Sequence, residues 1–505
     1  MACLLTAAAT AGLVAACSRG APDRTSYAPA PCPSPNFPGV PEADLDANYS
    51  CGYLTVPENR DDPKSRTIRI LVARVRAVSD KPKPDPIVFL AGGPGGAGTL
   101  SAPGVVADGM NADRDVIFVN QRGTLHDDPH LGCPEMDEFT ARAVDLVLQD
   151  SATADLDAAS VAACRNRLAP SGVHLASYNS RENAADIAAL RMKLGIDQWN
   201  VYGVSYGTDL AQQLLRAHPE GIRSMVLDSV VPPSINLVDR WWQAPAAGLA
   251  AIFRACADQP RCAAAYPDLP GVFLDTVNKL SRTPLKVDTT RATGESAQVT
   301  IDGAKVVPLL LQWSADPANV VDIPRLIYAL SRGDGTLAAS GILAAVPLPG
   351  QRGLLGAGLA LGAYCQEMTN WTTPDEALTQ ARAAMPGLPD SVLRLTPTGS
   401  WIFRECEAWG LGRSDTADRL PVHSKIPVLI MSGSFDAGTA PQWLREVTPS
   451  LSNSLALRFP GVGHAVLSKS RCAQSIMTAF LNDPRVDVDQ SCIASMTFPT
   501  FSLPG

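Results

Sequence analysis

The feature that most constrains the fold is the ten-residue stretch Trp199–Thr208, which contains the pattern Gly203-Val-Ser-Tyr-Gly207. The apolar run before this pattern predicts a strand, and the helical spacing after it, which ends at Pro219, predicts a helix. A sharp strand-to-helix turn holds its central residue strained and exposed, and only tiny neighbours let the two elements pass so closely. The stretch therefore predicts a nucleophile elbow with Ser205 as the candidate nucleophile.

Further apolar runs around the elbow predict a parallel sheet. The run Ser224–Val230 follows the elbow helix and predicts the next strand, which places Ser205 at the carboxyl edge of a βαβ unit. Other strands are predicted at 67–75, 85–90, 115–120, 426–431 and 454–459, and a helix is predicted at 181–194. We therefore expect an α/β fold with a mostly parallel central sheet.

Length and composition narrow the class of protein. The chain has 505 residues, of which 46% are hydrophobic and only 18% charged, as expected for a large enzyme core that carries an inserted domain. The net charge is −8 and the chain has no long basic run. Nucleic acid and anionic membrane surfaces are therefore poor candidate partners.

The alternation of strands and helices stops after Pro233 and resumes near residue 420. Between these points lie several helical runs and one polar patch, Thr289–Gln298, that predicts a hairpin. We expect residues 42–233 and 420–505 to form the two parts of the core. Residues 234–419 should form an inserted, mainly helical cap domain.

The first residues have the character of an export signal. An apolar, alanine-rich run from Leu4 to Ala16 ends at Cys17 and is too short to span a membrane as a stable anchor. The small residues before Cys17 resemble a lipoprotein box, so residues 1–17 are expected to be a signal peptide, with lipid attached to the Cys17 thiol. An ordinary cleaved signal with an incidental cysteine is the alternative, and no Lys or Arg precedes the apolar run. The Pro-rich residues 18–41 would then form an extended tether.

The cysteines also favour export. Ten of the twelve lie beyond Cys17, and an even number scattered through a large exported chain suggests five disulfides. Sequence does not prove the connectivity, but the simplest pairing joins neighbours along the chain. That pairing is 32 with 51, 133 with 164, 256 with 262, 365 with 406, and 472 with 492.

The run Ala91-Gly-Gly-Pro-Gly-Gly96 directly follows a predicted buried strand. Acyl transfer builds negative charge on a carbonyl oxygen, and backbone N–H groups in a glycine turn can stabilise it. We expect Gly93 and the amide of Tyr206 to form this oxyanion hole, with Gly92 as the alternative to Gly93. A phosphate-binding loop is disfavoured because the run lacks the Lys-Ser/Thr ending. Arg122, in a nearby turn, is expected to brace the glycine turn.

Two residues of the carboxyl-terminal core complete a candidate triad. Asp436 stands in the loop after the strand 426–431, and His464 lies in a glycine-rich turn after the last predicted strand. The chain order Ser205, Asp436, His464 is the order that an α/β-hydrolase requires. Asp228, in the strand after the elbow helix, is the rival acid.

A metal site is weakly supported. The chain has no Cys-x-x-Cys pattern, and the pair His126 and His130 is interrupted by Pro129, so one helix face is unlikely to present both rings. Triad chemistry needs no metal or organic cofactor, and none is expected.

Five ordered motifs carry a family resemblance: Ala91–Gly96, Asn120–Gly123, Gly203–Gly207, Ser432–Asp436 and Gly461–His464. Together they resemble the exported tripeptidyl aminopeptidase branch of the proline iminopeptidase-like α/β-hydrolases. The run Cys51-Gly-Tyr-Leu-Thr-Val-Pro57 resembles that branch too, and the similarity covers nearly the whole chain after the leader. The sequence departs from the family where Ala91 replaces a frequent His and Asn120 replaces a frequent Asp.

The resemblance implies a serine peptidase that releases short peptides from free N-termini. Such an enzyme must recognise an α-ammonium group, for which a cap carboxylate is the natural partner. Glu367 and Glu405 are the candidates, with Glu407 as a further alternative. A peptide or a small ester is the expected substrate, a monomer is the expected state, and membrane contact is expected only through the N-terminal lipid. A carboxylesterase or lipase on the same scaffold is the alternative function, followed by a non-catalytic peptide-binding lipoprotein.

Overall fold

The computed structural model describes residues 24–291, 294–395, 401–485 and 487–504. Within these residues the core is one nine-stranded sheet with the order β1-β2-β3-β5-β4-β6-β7-β10-β11. The first four strands in this order pair antiparallel, and every pairing from β5 to β11 is parallel. The expected α/β fold with a mostly parallel sheet is confirmed.

The observed strands follow the apolar runs of the sequence closely. The central ones are buried at every position, because helices cover both faces of the parallel part of the sheet. The strands of this sheet are β1 Ser26–Ala30, β2 Tyr49–Pro57, β3 Thr67–Val75, β4 Ile87–Leu90, β5 Val116–Val119, β6 Trp199–Val204, β7 Ile222–Asp228, β10 Val428–Gly433 and β11 Ser454–Phe459.

Helices pack on the two faces of this sheet through separate hydrophobic clusters. On one face, Leu190 and Leu214 pack with strand residues such as Val201. On the other face, Ala102 and Phe480 belong to the cluster that contains Phe118. The helices of the core are α1 Gly98–Ala107, α4 Ser180–Lys193, α5 Tyr206–Ala217, α18 Leu444–Val447, α19 Arg471–Asn482 and α20 Ser491–Ala494.

The region between β7 and β10 is mainly helical, and its assignment to a separate cap domain stays a prediction. It also contains the antiparallel hairpin of β8 Leu285–Thr290 and β9 Ser296–Ile301, close to the predicted patch. Its helices are α6 Leu237–Arg240, α7 Gln243–Ala257, α8 Pro260–Ala265, α9 Leu269–Arg282, α10 Gly303–Ser314, α11 Pro317–Val320, α12 Ile323–Ser331, α13 Thr336–Ala344, α14 Ala357–Ala363, α15 Pro374–Ala384, α16 Asp390–Leu393 and α17 Ile402–Trp409.

A second segment, between β5 and α4, packs onto the cap. It contains α2 Pro134–Arg142 and α3 Ser151–Leu168, and α3 lies against α17. Between α2 and α3, the carbonyl of Val144 accepts hydrogen bonds from the Thr300 N–H at 2.9 Å and from the Lys305 ammonium at 3.0 Å. The cap therefore draws on two separate parts of the chain, and sequence periodicity predicted only the larger one.

The amino-terminal region differs from the expected tether of residues 18–41. Residues 26–30 form the edge strand β1, which pairs antiparallel with β2. Pro29 is tolerated there because an edge strand has one row of amides that need no partner. The predicted signal peptide 1–17 and the lipidation site Cys17 lie outside the described residues. Within those residues, no helix combines the length and hydropathy required to cross a membrane.

Ten cysteines of the described chain form five disulfides, and every pair is the one predicted from sequence neighbours. The bonded pairs are Cys32–Cys51, Cys133–Cys164, Cys256–Cys262, Cys365–Cys406 and Cys472–Cys492. Structural disulfides persist in oxidising compartments, which agrees with a protein that functions outside the cytosol.

Candidate active site

Ser205 lies at a strained turn between β6 and α5. Its backbone has φ 57° and ψ −128°, a left-handed conformation that a serine rarely adopts. A side chain at position 203 would place its Cβ 2.3 Å from the Gly207 carbonyl oxygen, and one at position 207 would approach the Leu90 oxygen to 2.2 Å. Both flanking glycines are thus required by space, as the pattern of a nucleophile elbow predicts.

Asp436 and His464 are in direct contact. The Nδ1 atom of His464 lies 3.0 and 3.1 Å from the two carboxylate oxygens of Asp436. Asp436 is fully buried, and it also accepts hydrogen bonds from the Gly438 and Thr439 amides and from the Thr439 hydroxyl, at 2.7–2.9 Å. These contacts fix the position of the carboxylate that orients the imidazole.

The charges of this pair support each other. Burial alone would raise the pKa of Asp436, but His464 and the hydrogen bonds from Thr439 hold it below its ordinary value. Burial alone would lower the pKa of His464, but the Asp436 carboxylate raises it above its ordinary value. The imidazolium that forms when a serine is deprotonated would therefore be stabilised.

Asp228, the rival acid, holds the segment 460–467 in place, and we call this segment the histidine loop. Its carboxylate accepts the Val466 and Leu467 N–H groups at 2.8 and 2.9 Å, and the Tyr202 hydroxyl at 2.7 Å. The Ser205 N–H donates to the Asp228 carbonyl oxygen at 2.9 Å. One residue at the end of β7 thus links the nucleophile turn to the histidine loop.

The three candidate triad residues share one edge of the sheet. Ser205, Asp436 and His464 follow the carboxyl ends of β6, β10 and β11, and these strands neighbour one another in the sheet with β7 between β6 and β10. We call these three residues the catalytic rim. The arrangement places a hydroxyl, an imidazole and a carboxylate at one edge, and these are the groups that acyl transfer by a serine triad uses.

The glycine turn, which comprises residues 91–96, runs alongside Ser205. A Cβ at Gly92 would lie 2.9 Å from the Ser205 Cβ, so this glycine also leaves space for the serine. The next residue, Gly93, has φ 117°, which favours glycine. Tyr206 is the first residue of α5, where backbone N–H groups have no acceptor within the helix. The oxyanion pair Gly93 and Tyr206 stays a prediction, with Gly92 as the alternative.

Gln121, rather than Arg122, braces this turn. The Gln121 side-chain amide donates to the carbonyl oxygens of Ala91 and Gly92 at 2.8 and 3.0 Å and accepts the Gly95 N–H at 3.0 Å. Sequence analysis overlooked it, although a carboxamide directly after a buried strand and beside a glycine run was a usable signal.

The expectation for Arg122 was wrong. Its guanidinium is fully buried and binds the Asp186 carboxylate through two nitrogens at 2.8 Å. It also donates to the carbonyl oxygens of Glu58 and Ser177. Arg122 therefore links the residue after β2 to α4, and none of its hydrogen bonds goes to the glycine turn.

Glu367 lies in a π-helical turn, Tyr364–Met368, that continues α14. Its carboxylate accepts the Ser180 N–H at 2.7 Å and the Ser180 hydroxyl at 2.6 Å, and that hydroxyl lies 2.6 Å from the Tyr206 hydroxyl. Burial and the nearby Asp209 carboxyl raise the pKa of Glu367 to about 8. Glu367 is thus connected, through Ser180, to the residue that follows the nucleophile.

Glu405 and Glu407 lie on α17, in contrasting surroundings. Glu407 is exposed. Glu405 is buried and lines an open pocket beside Asp157 of α3. Burial and the Asp157 carboxyl raise the pKa of Glu405 well above its ordinary value.

The described residues contain no group of three or more His, Cys, Asp or Glu side chains arranged to hold a metal ion. The two histidines considered for a metal contact backbone carbonyl oxygens instead. His126 Nε2 lies 2.8 Å from the Asn36 oxygen, and His130 Nε2 lies 3.1 Å from the Leu354 oxygen.

Comparisons with known proteins agree with this fold. Residues 85–275 match a family model described as the alpha/beta hydrolase fold, and residues 395–492 match one described as TAP-like protein. The chain therefore has the α/β-hydrolase fold. The carboxyl-terminal match confirms the resemblance to the tripeptidyl aminopeptidase branch.

Two curated relatives and one solved structure illustrate the similarity. A tripeptidyl aminopeptidase from Streptomyces coelicolor is 32% identical over 213 residues, which cover 40% of this chain and 38% of that protein. The serine protease Hip1 from Mycobacterium tuberculosis is 24% identical over 476 residues, which cover 89% of this chain and 88% of Hip1. The proline iminopeptidase structure from Mycobacterium smegmatis is 16% identical, with a TM-score of 0.38, and covers 86% of this chain and 98% of its own.

Proposed function

We propose that this protein is an exported serine hydrolase that releases short peptides from the free N-termini of peptide substrates. The observation that carries the proposal is the contact between the buried Asp436 and the partly exposed His464, on the same sheet edge as the strained Ser205. Export is supported by the five disulfides and by the leader-like residues 1–17.

The proposed mechanism uses an acyl-enzyme. His464 accepts the proton of the Ser205 hydroxyl while Ser205 attacks the substrate carbonyl, and Asp436 orients the imidazole and stabilises its charged form. The N–H groups of Tyr206 and Gly93 stabilise the oxyanion, in a turn that Gln121 holds in place. His464 then returns its proton to the leaving amine, and water releases the acyl group from Ser205.

Glu367 is our first candidate for binding the substrate α-ammonium group. Because burial raises the pKa of Glu367 to about 8, a cation that stabilises the ionised form would gain from the contact. The link from Glu367 through Ser180 to Tyr206 relates this carboxylate to the nucleophile turn. Glu405 remains the second candidate.

A fluorophosphonate probe tests the nucleophile. The full chain should be labelled, Ser205→Ala should abolish labelling, and Ser495→Ala, which changes an exposed serine, should leave labelling intact. Labelling that persists in Ser205→Ala would place the nucleophile elsewhere.

A comparison of free and N-acetylated tripeptide arylamides tests the substrate class. The free peptides should be hydrolysed faster, because acetylation removes the ammonium charge. Equal turnover of both would replace the aminopeptidase proposal with a general esterase or endopeptidase.

A further inference from the structure

An open pocket of about 520 Å³ lies where α2 and α3 meet the cap helices α10, α13 and α17, and none of the catalytic rim residues lines it. This volume falls within the range of about 300–1,000 Å³ that is usual for small-molecule pockets. Residues from α2, α3, α10, α13 and α17 contribute to its walls. The apolar part of the wall includes Met136, Phe139, Leu309, Ile342 and Trp401. We call this space the cap cavity.

Two carboxyl groups interrupt the apolar wall of the cap cavity. Asp157 is 6% exposed and Glu405 is 4% exposed, and the two side chains are in hydrogen-bonding contact. The Oδ2 atom of Asp157 is buried and has no hydrogen-bond partner. A buried polar atom without a partner is costly, so its presence in a cavity wall points to a partner that binds from the cavity.

That partner should be positively charged. Burial raises the pKa of both carboxyl groups, and the Asp157 carboxyl raises that of Glu405 further. No cation among the described side chains offsets the charge of this pair. A bound cation would form charge-assisted hydrogen bonds with both carboxylates and remove their mutual repulsion.

Lys305, which also lines the cap cavity, does not supply this cation. Its ammonium donates to the carbonyl oxygens of Val144, Leu146 and Thr300 at 2.6–3.0 Å, which uses all three of its N–H groups. Its charge interacts with Asp302 and Asp145. The Lys305 ammonium therefore links the hairpin and α10 to the segment before α3, and it has no N–H group left for Asp157 or Glu405.

The cation should be organic rather than metallic. Two carboxylates provide too few ligands for a hard metal ion, which prefers six or more oxygens. Large apolar side chains surround the pair, and they suit a hydrocarbon stem better than a hydrated ion.

The helix α10 lies between the cap cavity and the catalytic rim and contacts both. Pro308, Leu309 and Gln312 of α10 line the cavity. The helix ends at Ser314, and a Cβ at Gly463, next to His464, would lie 2.1 Å from the Ser314 carbonyl oxygen. Gln312 in the wall of the cavity is therefore only two residues from Ser314, which contacts the histidine loop.

We propose that the cap cavity receives a basic side chain of the peptide substrate, of the lysine or arginine type, with Asp157 and Glu405 binding the cation. The apolar walls would hold the carbon stem of that side chain. The inference rests on the proposed function only in taking the ligand to be a peptide. This role differs from recognition of the substrate α-ammonium group, for which Glu367 is the first candidate.

Binding to the Ser205→Ala protein tests this inference without requiring turnover. Tripeptide amides carrying lysine at one of the three positions are compared by calorimetry with peptides carrying norleucine, which has a similar stem and no charge. At one position, lysine should bind at least about tenfold more tightly than norleucine. Glu405→Gln in the same background should reduce this ratio to about one.

Glu407→Gln is the matched control, because Glu407 is an exposed glutamate on the same helix, and it should keep the lysine preference. Asp157→Asn provides a second test if Glu405→Gln does not fold. A ratio near one at all three positions, or a preference that survives both substitutions, would overturn the inference.

N-acetylated versions of the same peptides separate the two sources of positive charge. If acetylation removes the Glu405-dependent affinity and the change from lysine to norleucine does not, the pair binds the α-ammonium group and the side-chain assignment is wrong. Failure of the proposed function is seen separately, as a wild-type chain that does not react with the fluorophosphonate probe.

Discussion

The catalytic rim and the cap cavity both contain buried carboxyl groups, but the pKa of the rim carboxyl is lowered and the pKa values of the cavity carboxyls are raised. Asp436 of the rim faces His464 and accepts hydrogen bonds from Thr439, and its pKa is lowered. Asp157 and Glu405 of the cavity are nearly as enclosed, face each other without a cationic partner among the described residues, and have raised pKa values. Burial is similar in both places, so the difference comes from the partners.

The contrast distinguishes a complete site from an incomplete one. At the rim the fold supplies the partner of its own acid, so that Asp436 stabilises the positive charge that forms when His464 accepts a proton. In the cap cavity the fold supplies no such partner among the described residues. An unmatched buried acid pair costs stability, and a ligand can recover that cost on binding.

The largest expected effect is at the rim. Asp436→Asn should lower kcat by roughly 10⁴-fold, because an asparagine no longer holds the imidazole in the useful tautomer. Because Asp436 raises the pKa of His464 above its ordinary value, the acid limb of the kcat/KM profile should move to lower pH in the variant. Steady-state kinetics between pH 5 and 9 would measure both changes.

Asp228→Asn is the matched control for this prediction, because Asp228 is the other fully buried aspartate near the histidine. It should slow kcat by only about tenfold, through a less firmly held loop. If Asp228→Asn proved as damaging as Asp436→Asn and moved the acid limb equally, Asp228 would be the orienting acid.

A smaller effect is expected in the glycine turn. Gln121→Leu removes three hydrogen bonds to this turn. It should lower kcat by about tenfold to a hundredfold, with little change in KM, because the loss of one oxyanion-hole donor lowers kcat by about 10²–10³-fold. Gln259→Leu is the control, since Gln259 bridges backbone groups of the carboxyl-terminal segment instead. Equal losses in both variants would show a general effect on stability.

The smallest effect concerns stability and comes from the cap cavity. A carboxyl group whose pKa is higher in the folded than in the unfolded chain binds more protons when folded, so stability falls as pH rises through the interval between the two values. Glu405→Gln removes one such group. The free energy of unfolding of the variant should therefore exceed that of the wild type by about 1–2 kcal/mol at pH 8 and by less at pH 5.

Urea unfolding at the two pH values measures this difference, and Glu407→Gln serves as the exposed control. A Glu405→Gln protein that is less stable than the wild type at pH 8 would mean that the acid pair stabilises the empty cap.

The core was readily predicted because its signals are local. A buried parallel strand appears as a short apolar run, and chemistry in such sheets gathers at the carboxyl ends of the strands. Ser205, Asp436 and His464 each follow such a run, and the structure brings Asp436 and His464 into contact.

The remaining features depend on contacts between distant parts of the chain. The strand β1 exists because β2 offers it a partner, and its Pro29 made the segment resemble a tether. Sequence placed Gln121 and Arg122 in one turn, but it did not indicate which side chain faces the glycines. The partner of Glu405 lies 248 positions earlier, on a helix whose role in the cap is set by packing against α17.

The pattern of disulfides has a consequence for motion. Each one closes a short loop, with between 6 and 41 positions separating its two cysteines, and none of the five joins the inserted helices of residues 234–419 to the sheet. Each disulfide therefore links residues within one region, and the inserted helices are held to the sheet by their two chain connections and by noncovalent packing. A movement of those helices against the sheet would break no disulfide, so a bulky chain end could be admitted without loss of any covalent cross-link.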